Sequence, residues 1–349
     1  MSPTDVQDRK VGRNTTRVDV GATGLVITKR FDGPSPDRER RYANSLAWDA
    51  LQKARGLDLG PPVAERDDER LVLSFPYLDN LRTLQEILDE GAGPETLVPV
   101  LRRCGTLLGT VHSMPVADVL PLLPHHDGPV GEAAAEVAAG MGPLTAFRHL
   151  TPEQFTNASG AELEAWRLFH HDTELQDGLH AWMADLRSDP DPVPVHGDLR
   201  PDQFLVAPDH VALIDWEEFT VGPACRDLAG IAGALVFDAL IRTFVGSPAP
   251  GVMPGELHQG FLSRGEELLA AVAPSVQAFL DAYRTASGRE VDAPRLGADI
   301  GWYLIERVMA RAMMSHRLPP GDRAIAGVGR QAILNPASAL ATIGMGNDS

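Results

Sequence analysis

The chain has little cysteine: Cys104 and Cys225 are the only two in 349 residues. A disulfide scaffold or a thiolate zinc site needs more, so neither is expected, and a reducing cytoplasm is the expected location. Basic residues are also scarce, 31 against 48 acidic, for a formal net charge of −17. That balance opposes broad contact with phosphate backbones, and no stretch interleaves basic and aromatic residues as a nucleic-acid surface does. No nucleic-acid partner is expected. There is no apolar run long enough to span a bilayer, and the opening MSPTDVQDRKVG lacks the apolar core of a signal peptide, so no membrane association is expected either. Also missing are a Walker A loop, a G-x-G-x-x-G fingerprint, internal repeats and low-complexity tracts. What is present is an ordinary globular composition, 44% hydrophobic and 23% charged, which supports a sizeable core. The length suits one two-lobed unit or two modest domains.

Strand signals concentrate early. Arg17–Val20 and Leu25–Phe31 flank a turn at Gly21-Ala22-Thr23-Gly24 and predict a hairpin. A helix then opens at Ser35 and Pro36, with Asp37 and Glu39 favouring its positive end and an apolar stripe on Ala43, Leu46, Ala47, Ala50 and Leu51. Leu71–Phe75 reads as a strand that Pro76-Tyr77 ends. Thr83 and Glu86 have the capping-box spacing of another helix start. Val100, Cys104, Leu107, Leu108 and Val111 share one helical face, which Pro115 terminates. Residues 115–160 are rich in Pro, Gly and Ala, and a helix follows around 161–187. A short hairpin, Phe204–Val206 with Val211–Ile214, interrupts an otherwise helical remainder. The pattern predicts an α+β chain with a small mixed N-terminal lobe, 1–78, and a large, mainly helical C-terminal lobe, 79–349.

Gln203 immediately precedes the first strand of that later hairpin and Asp215 follows the second. Antiparallel pairing brings such ends to within roughly 5 Å between Cα atoms. Oxygen-bearing side chains converging at a hairpin mouth suit a hard cation such as magnesium. Asp198 lies just upstream, in a loop that Pro201 keeps from becoming helix, so three oxygen donors gather for metal binding and proton transfer. Glu39 stands four residues before Ala43, on the inward stripe of its helix; a carboxylate there needs a cation, and Lys29 on the preceding strand is the expected partner. His125-His126 and His170-His171 lack the companions of a zinc site. Ser113 and Ser159 lack a nucleophile-elbow context. The segment Gly12-Arg13-Asn14-Thr15-Thr16 could cover phosphates but carries no glycine-rich signature.

The run VPVHGDLRPDQFLV followed by VALIDWEEF resembles the catalytic and metal-binding segments of the aminoglycoside phosphotransferase (choline kinase-like) family, which shares its core with protein kinases. His196-Gly197-Asp198-Leu199-Arg200-Pro201-Asp202-Gln203 aligns without a gap on the kinase catalytic loop. The stretch Gly105–His112 is similar to the family's Leu-x-x-Leu-His helix, and Gly222–Ala229 to its G-x-P-x-x-D-L-A segment. The resemblance implies a bilobal protein-kinase-like fold and an ATP- and Mg2+-dependent phosphotransferase. It implies Asp198 as catalytic base and Arg200 as the basic group that offsets charge on the transferred phosphoryl. Lys29, fixed by Glu39, would hold the nucleotide phosphates; Gln203 and Asp215 would bind metal; and Phe75 and Tyr77 would flank the hinge where adenine sits. Gln203 departs from the family's usual Asn, which leaves one or two metals open. Asp227 is expected to brace the catalytic loop.

The expected acceptor is a hydroxyl of a small metabolite or an aminoglycoside-like molecule. One alternative is Ser or Thr in a precursor peptide, acting with a partner lyase; another is a catalytically weak pseudokinase. Glu217 and Glu218, directly after Asp215, suggest an acidic rim that would draw amino groups to the site.

Overall fold

The structure, a computed structural model, describes residues 9–11, 13–21, 24–124, 147, 149–244 and 254–342. The early strands β1 (Arg9–Val11), β2 (Asn14–Gly21) and β3 (Gly24–Phe31) lead into helix α1 (Asp37–Arg55), followed by β4 (Glu65–Asp67) and β5 (Val72–Pro76). They form a five-stranded antiparallel sheet in the order β1-β2-β3-β5-β4. The predicted first hairpin is present with Gly21 opposite Gly24; Ala22 and Thr23 of its turn lie outside the described residues. Edge strands β1 and β4, too brief to show period-two patterning, complete the sheet. The two-residue period places Ile27 and Lys29 on the same face of β3, and both line the cleft below the sheet.

Helix α1 departs from its expected orientation. Ala50 is exposed and Ala43 only half-buried, while Arg41, Asn44, Ser45, Trp48, Leu51 and Gln52 form the buried face. A polar inner face survives burial only where hydrogen-bond partners meet it. They come from the turn Trp216–Glu218: Asn44 Nδ2 donates to the Glu217 carbonyl at 3.0 Å, and Trp48 stacks on Trp216 with ring centroids 3.5 Å apart. Through Ala47, Trp48 and Leu51, α1 joins the large hydrophobic core, while Phe31, Tyr42 and Leu73 form a small separate one.

The chain continues through β6 (Arg82–Thr83), α2 (Leu84–Asp89), α3 (Pro94–His112), α4 (Val116–Val119), α5 (Pro152–Asn157), α6 (Gly160–His170) and α7 (Thr173–Arg187). Thr83 and Glu86 form the expected capping box. The helix expected over 161–187 is two, because Asp172 caps a new start and takes an ion pair from Arg330. Then follow β7 (Val193–Val195), β8 (Phe204–Val206), β9 (Val211–Leu213), β10 (Thr220–Gly222), α8 (Ala224–Thr243), α9 (Pro254–Ser287), α10 (Ala293–Ala312), α11 (Pro320–Leu334) and α12 (Pro336–Thr342). Strands β6, β8 and β9 make a three-stranded sheet, and β7 pairs with β10. Close packing of α3 on α9 rests on Gly105, where a Cβ would fall 2.1 Å from the Phe279 carbonyl oxygen. The result is a small mixed lobe above a mainly helical one, as the sequence pattern predicts.

Candidate active site

Strand β7 delivers His196, Gly197 and Asp198 to the junction of the lobes. Gly197 adopts φ +87°, and a Cβ there would lie 2.3 Å from the Glu218 carbonyl oxygen, so only glycine fits. Asp227, fully buried at the start of α8, accepts the backbone N–H of His196 at 2.6 Å and of Gly197 at 3.0 Å. His112, at the end of α3, bonds Asp227 through Nε2 at 3.2 Å and Tyr283 through Nδ1 at 3.2 Å. Three segments distant in sequence, ending in His112, Asp227 and the 196–198 loop, therefore lock together. Burial alone would raise the Asp227 carboxyl, but His112, His196 and the loop N–H groups hold it below the usual range. Its bracing role is borne out. His196 Nε2 donates to the Ile214 carbonyl at 3.0 Å, which ties the loop to the residue before Asp215.

Asp198 stays partly open to solvent and pairs with Arg200 Nη1 at 2.9 Å. Burial pushes its carboxyl above the ordinary range, against the pull of Arg200, Arg226 and His196. Arg200 also reaches Asp202 at 3.2 Å. Gln203 ends the intervening 3-10 turn; its Oε1 accepts the Arg200 N–H at 2.8 Å, while Nε2 is buried without a hydrogen-bond partner. The register of the hairpin is shifted by one from expectation: Gln203 bonds Ile214, through N–H of Ile214 to its carbonyl at 3.1 Å, and Asp215 lies one residue beyond. Asp215 takes a left-handed backbone, φ 73°, that turns its carboxylate back toward the sheet.

Lys29 meets that carboxylate. Its Nζ bonds Asp215 Oδ1 and lies 2.7 Å from Glu217 Oε2. Burial would lower the ammonium, but Asp215 and Glu217 outweigh it and raise it. Asp215 is shifted the other way, below the usual carboxylate range, because Lys29 overcomes burial. Glu39 is not brought to Lys29: it is exposed and accepts a hydrogen bond from Ser35 Oγ at 2.7 Å. The rotated inner face of α1 explains this, because Glu39 falls outside it.

Glu217 and Glu218 do not form a rim. Both are buried beneath cations of the small lobe. Glu217 takes Asn14 Nδ2 at 2.6 Å, and Glu218 takes Arg40 Nη1 at 2.7 Å and Arg13 Nη2. Burial would raise Glu218, and Arg40 and Arg13 hold it low instead. Arg13 and Asn14, from the segment considered as a phosphate cover, thus serve this network, and Gly12 lies outside the described residues. Arg40 and Arg41 were not legible as site residues, and Arg13 and Asn14 only as a possible phosphate cover; the signal available was an arginine pair on a helix face opposite two glutamates.

Two cavities meet at the loop. A cleft of about 410 Å³ between the lobes is lined by Lys29, Trp48, Phe75, Tyr77, Gln203 and Asp215. Phe75 and Tyr77 line this cleft, but the Tyr77 N–H is already given to the Leu25 carbonyl at 2.9 Å and offers no donor to a ligand. A smaller cavity of about 40 Å³ is lined by Asp198, Arg226, Asp299, Trp302, Glu306 and Arg307, among others. Arg200 lines both. In the smaller cavity Asp299 Oδ2 and Trp302 Nε1 are buried without partners, and burial lifts the Asp299 carboxyl to about 7 although Trp182 Nε1 donates to its other oxygen at 2.6 Å.

His125-His126 lies outside the described residues; His171 Nδ1 donates to the Arg167 carbonyl, and no cluster of metal-ligating side chains occurs among the described residues. Ser113 bonds a helix carbonyl and Ser159 caps α6. Cys104 and Cys225 are buried free thiols. No described helix is long and apolar enough to cross a membrane.

A sheet lobe bearing a buried lysine, a helical lobe bearing an Asp-containing loop, and a second Asp between them define a kinase-like phosphotransferase. The chain belongs to the phosphotransferase enzyme family, whose pattern it matches over residues 14–253. It is similar in fold to a glucosamine kinase, at 16% identity over 95% of this chain and 77% of the other, with a TM-score of 0.50. It is also similar to a Ralstonia eutropha protein described as a candidate aminoglycoside phosphotransferase, at 13% identity over 99% of this chain and 93% of the other, TM-score 0.50. No protein of curated function matches it significantly in sequence.

Proposed function

We propose that the enzyme transfers the γ-phosphoryl group of ATP to a hydroxyl of a small polyhydroxylated or amino-bearing molecule. One observation carries this reading: Asp198 and its partner Arg200 stand at the meeting of a large cleft and a small polar cavity. The cleft suits a nucleotide, with apolar walls at Ile27 and Phe75 and Lys29 at its inner end. The cavity, of about 40 Å³, suits one polar group of an acceptor. Its lining includes three carboxyl groups, Asp198, Asp299 and Glu306, and three guanidiniums, Arg200, Arg226 and Arg307. Such a mixed lining hydrogen-bonds hydroxyls and amines alike, with one acceptor, Asp299 Oδ2, and one donor, Trp302 Nε1, buried behind it without partners.

In this reading Lys29 holds the nucleotide phosphates. Asp198, raised by burial, accepts the proton of the acceptor hydroxyl as that oxygen forms its bond to phosphorus and the bond to the ADP oxygen breaks. Arg200 offsets charge on the phosphoryl oxygens in flight. Magnesium fits the donors present: the Asp215 carboxylate and the second lone pair of Gln203 Oε1 are hard oxygens, and magnesium commonly takes one or two protein ligands beside phosphates and water. When bound, the metal neutralises phosphate charge. Among the described residues no observation favours a peptide acceptor with a partner lyase. Lys29 paired with Asp215 in the cleft, and Asp198 in the adjoining cavity on the far side of Arg200, speak against a pseudokinase. ATP consumption across glucosamine, aminoglycosides, neutral sugars and Ser/Thr peptides tests the proposal; turnover of peptides alone would overturn it.

A further inference from the structure

Kinase-like catalysis asks for a carboxylate that fixes the phosphate-holding lysine, and the helix residue expected to supply it, Glu39, points elsewhere. We infer that Glu217, two residues after Asp215, is the positioning residue of Lys29, and that Asn14 and Arg41 hold Glu217 in turn. The inference rests on the reading of Lys29 as a nucleotide ligand.

The contacts form a buried chain. Arg41, fully buried in α1, donates from Nη1 to Asn14 Oδ1 at 2.6 Å. Asn14, 5% exposed, turns its Nδ2 to Glu217 Oε2 at 2.6 Å. The same oxygen lies 2.7 Å from Lys29 Nζ and 3.5 Å from Arg41 Nη1. The Asn14 amide orientation is fixed by this sequence of partners, since its oxygen faces a guanidinium and its nitrogen a carboxylate. Arg41 is itself anchored by Asp37 at 2.9 Å and by the Asp32 carbonyl. Every member therefore has a defined partner, which is how a low-dielectric network holds one geometry. Lys29 has two carboxylate partners, Asp215 and Glu217. Asp215 is the one that a metal would recruit, so Glu217 is the partner that remains to keep the ammonium at the phosphates.

The consequence is a lysine positioned from the large lobe rather than from the helix of the small lobe. Glu218 serves as the internal comparison. It is buried in the same arginine cluster, bound to Arg13 and Arg40, and is not a partner of Lys29.

The test is calorimetric affinity for ATP with magnesium, together with KM for ATP and for the acceptor. Glu217→Gln is expected to weaken ATP affinity about tenfold while leaving the acceptor KM unmoved. Glu39→Gln is expected to change neither. Glu218→Gln should lower thermal stability as Glu217→Gln does, with ATP affinity held within about twofold. On a Lys29→Ala background, Glu217→Gln should add no further loss. Should Glu217→Gln fail to fold, Asn14→Ala, which frees the carboxylate without removing it, should give a partial loss of ATP affinity. Unchanged affinity in Glu217→Gln, a tenfold loss in Glu39→Gln, or full additivity with Lys29→Ala would each overturn the inference alone. A wild-type protein that binds no ATP would overturn it together with the proposed function.

Discussion

Gly197 and Asp299 show how single residues set the site. At Gly197 both the left-handed backbone and the Glu218 carbonyl exclude a side chain. Gly197→Ala is therefore expected to cost about 2 kcal/mol of stability and to displace Asp198, read as a lower Tm and a loss of turnover. Asp299 carries a pH signature. Its folded-state carboxyl titrates near 7, above its unfolded value of roughly 3.9, so the folded state binds the extra proton and stability is lost as pH rises through 7. Between pH 6 and pH 8 the stability of Asp299→Asn relative to wild type should improve by about 1.4 kcal/mol, measurable by denaturant unfolding at both pH values. A difference independent of pH would show that Asp299 is not the titrating group. Asp198 and Asp215 were legible from a loop and hairpin whose ends the chain itself marks, whereas Arg200 was read from the resemblance to the kinase loop, and Lys29 from that resemblance and an expected partner, Glu39, that the structure does not supply. Glu39 misled for a physical reason. Its inward position followed from an apolar stripe, yet the buried face of α1 is partly polar, with Arg41 and Asn44 answering Glu217 from a turn far along the sequence. Periodicity of apolar residues cannot reveal a face buried for its hydrogen bonds.

At the scale of elements, the loop is held by pieces that only the fold assembles. The end of α3, the start of α8 and strand β7 meet at Asp227, whose carboxylate takes two backbone N–H groups and His112. Asp227→Ala would leave those donors unpaired in a dry site. A loss of about 3 kcal/mol in unfolding free energy is expected, with turnover falling further than ATP affinity. Unchanged stability would contradict the brace. The motif resemblance made Asp227 visible, but its partner His112, and Tyr283 that His112 bonds in turn, stand 115 and 56 positions away and nothing local connects them. The sheet was half legible for a related reason. Strands β2, β3 and β5 carry enough alternation to be read, whereas three-residue edge strands such as β1 and β4 are defined by their neighbours. The hinge strand β5 was placed correctly, while the loss of the Tyr77 N–H to Leu25 depends on sheet register, which composition does not encode.

Across the whole molecule the formal net charge is −17, but Glu217 and Glu218 add no open carboxylate to the site mouth. Glu217 and Glu218 are spent on Arg13, Arg40, Arg41 and Lys29, and the small cavity balances its carboxylates with guanidiniums. The local pull of Glu217 and Glu218 on a cationic acceptor is therefore weak. The acceptor KM should change less than about threefold between about 0.05 and 0.3 M salt; a steep rise would restore an electrostatic rim. The two lobes meet through this same ionic network and through Trp48 stacked on Trp216, so the cleft and the catalytic loop are built as one unit. The central claim is that Asp198 takes the proton of an acceptor hydroxyl at that junction. Its most direct test is turnover of the best acceptor by wild type and Asp198→Asn at matched, calorimetrically verified ATP occupancy. Turnover should fall about 10²–10⁴-fold with ATP affinity unchanged; near-normal turnover in Asp198→Asn would contradict the account.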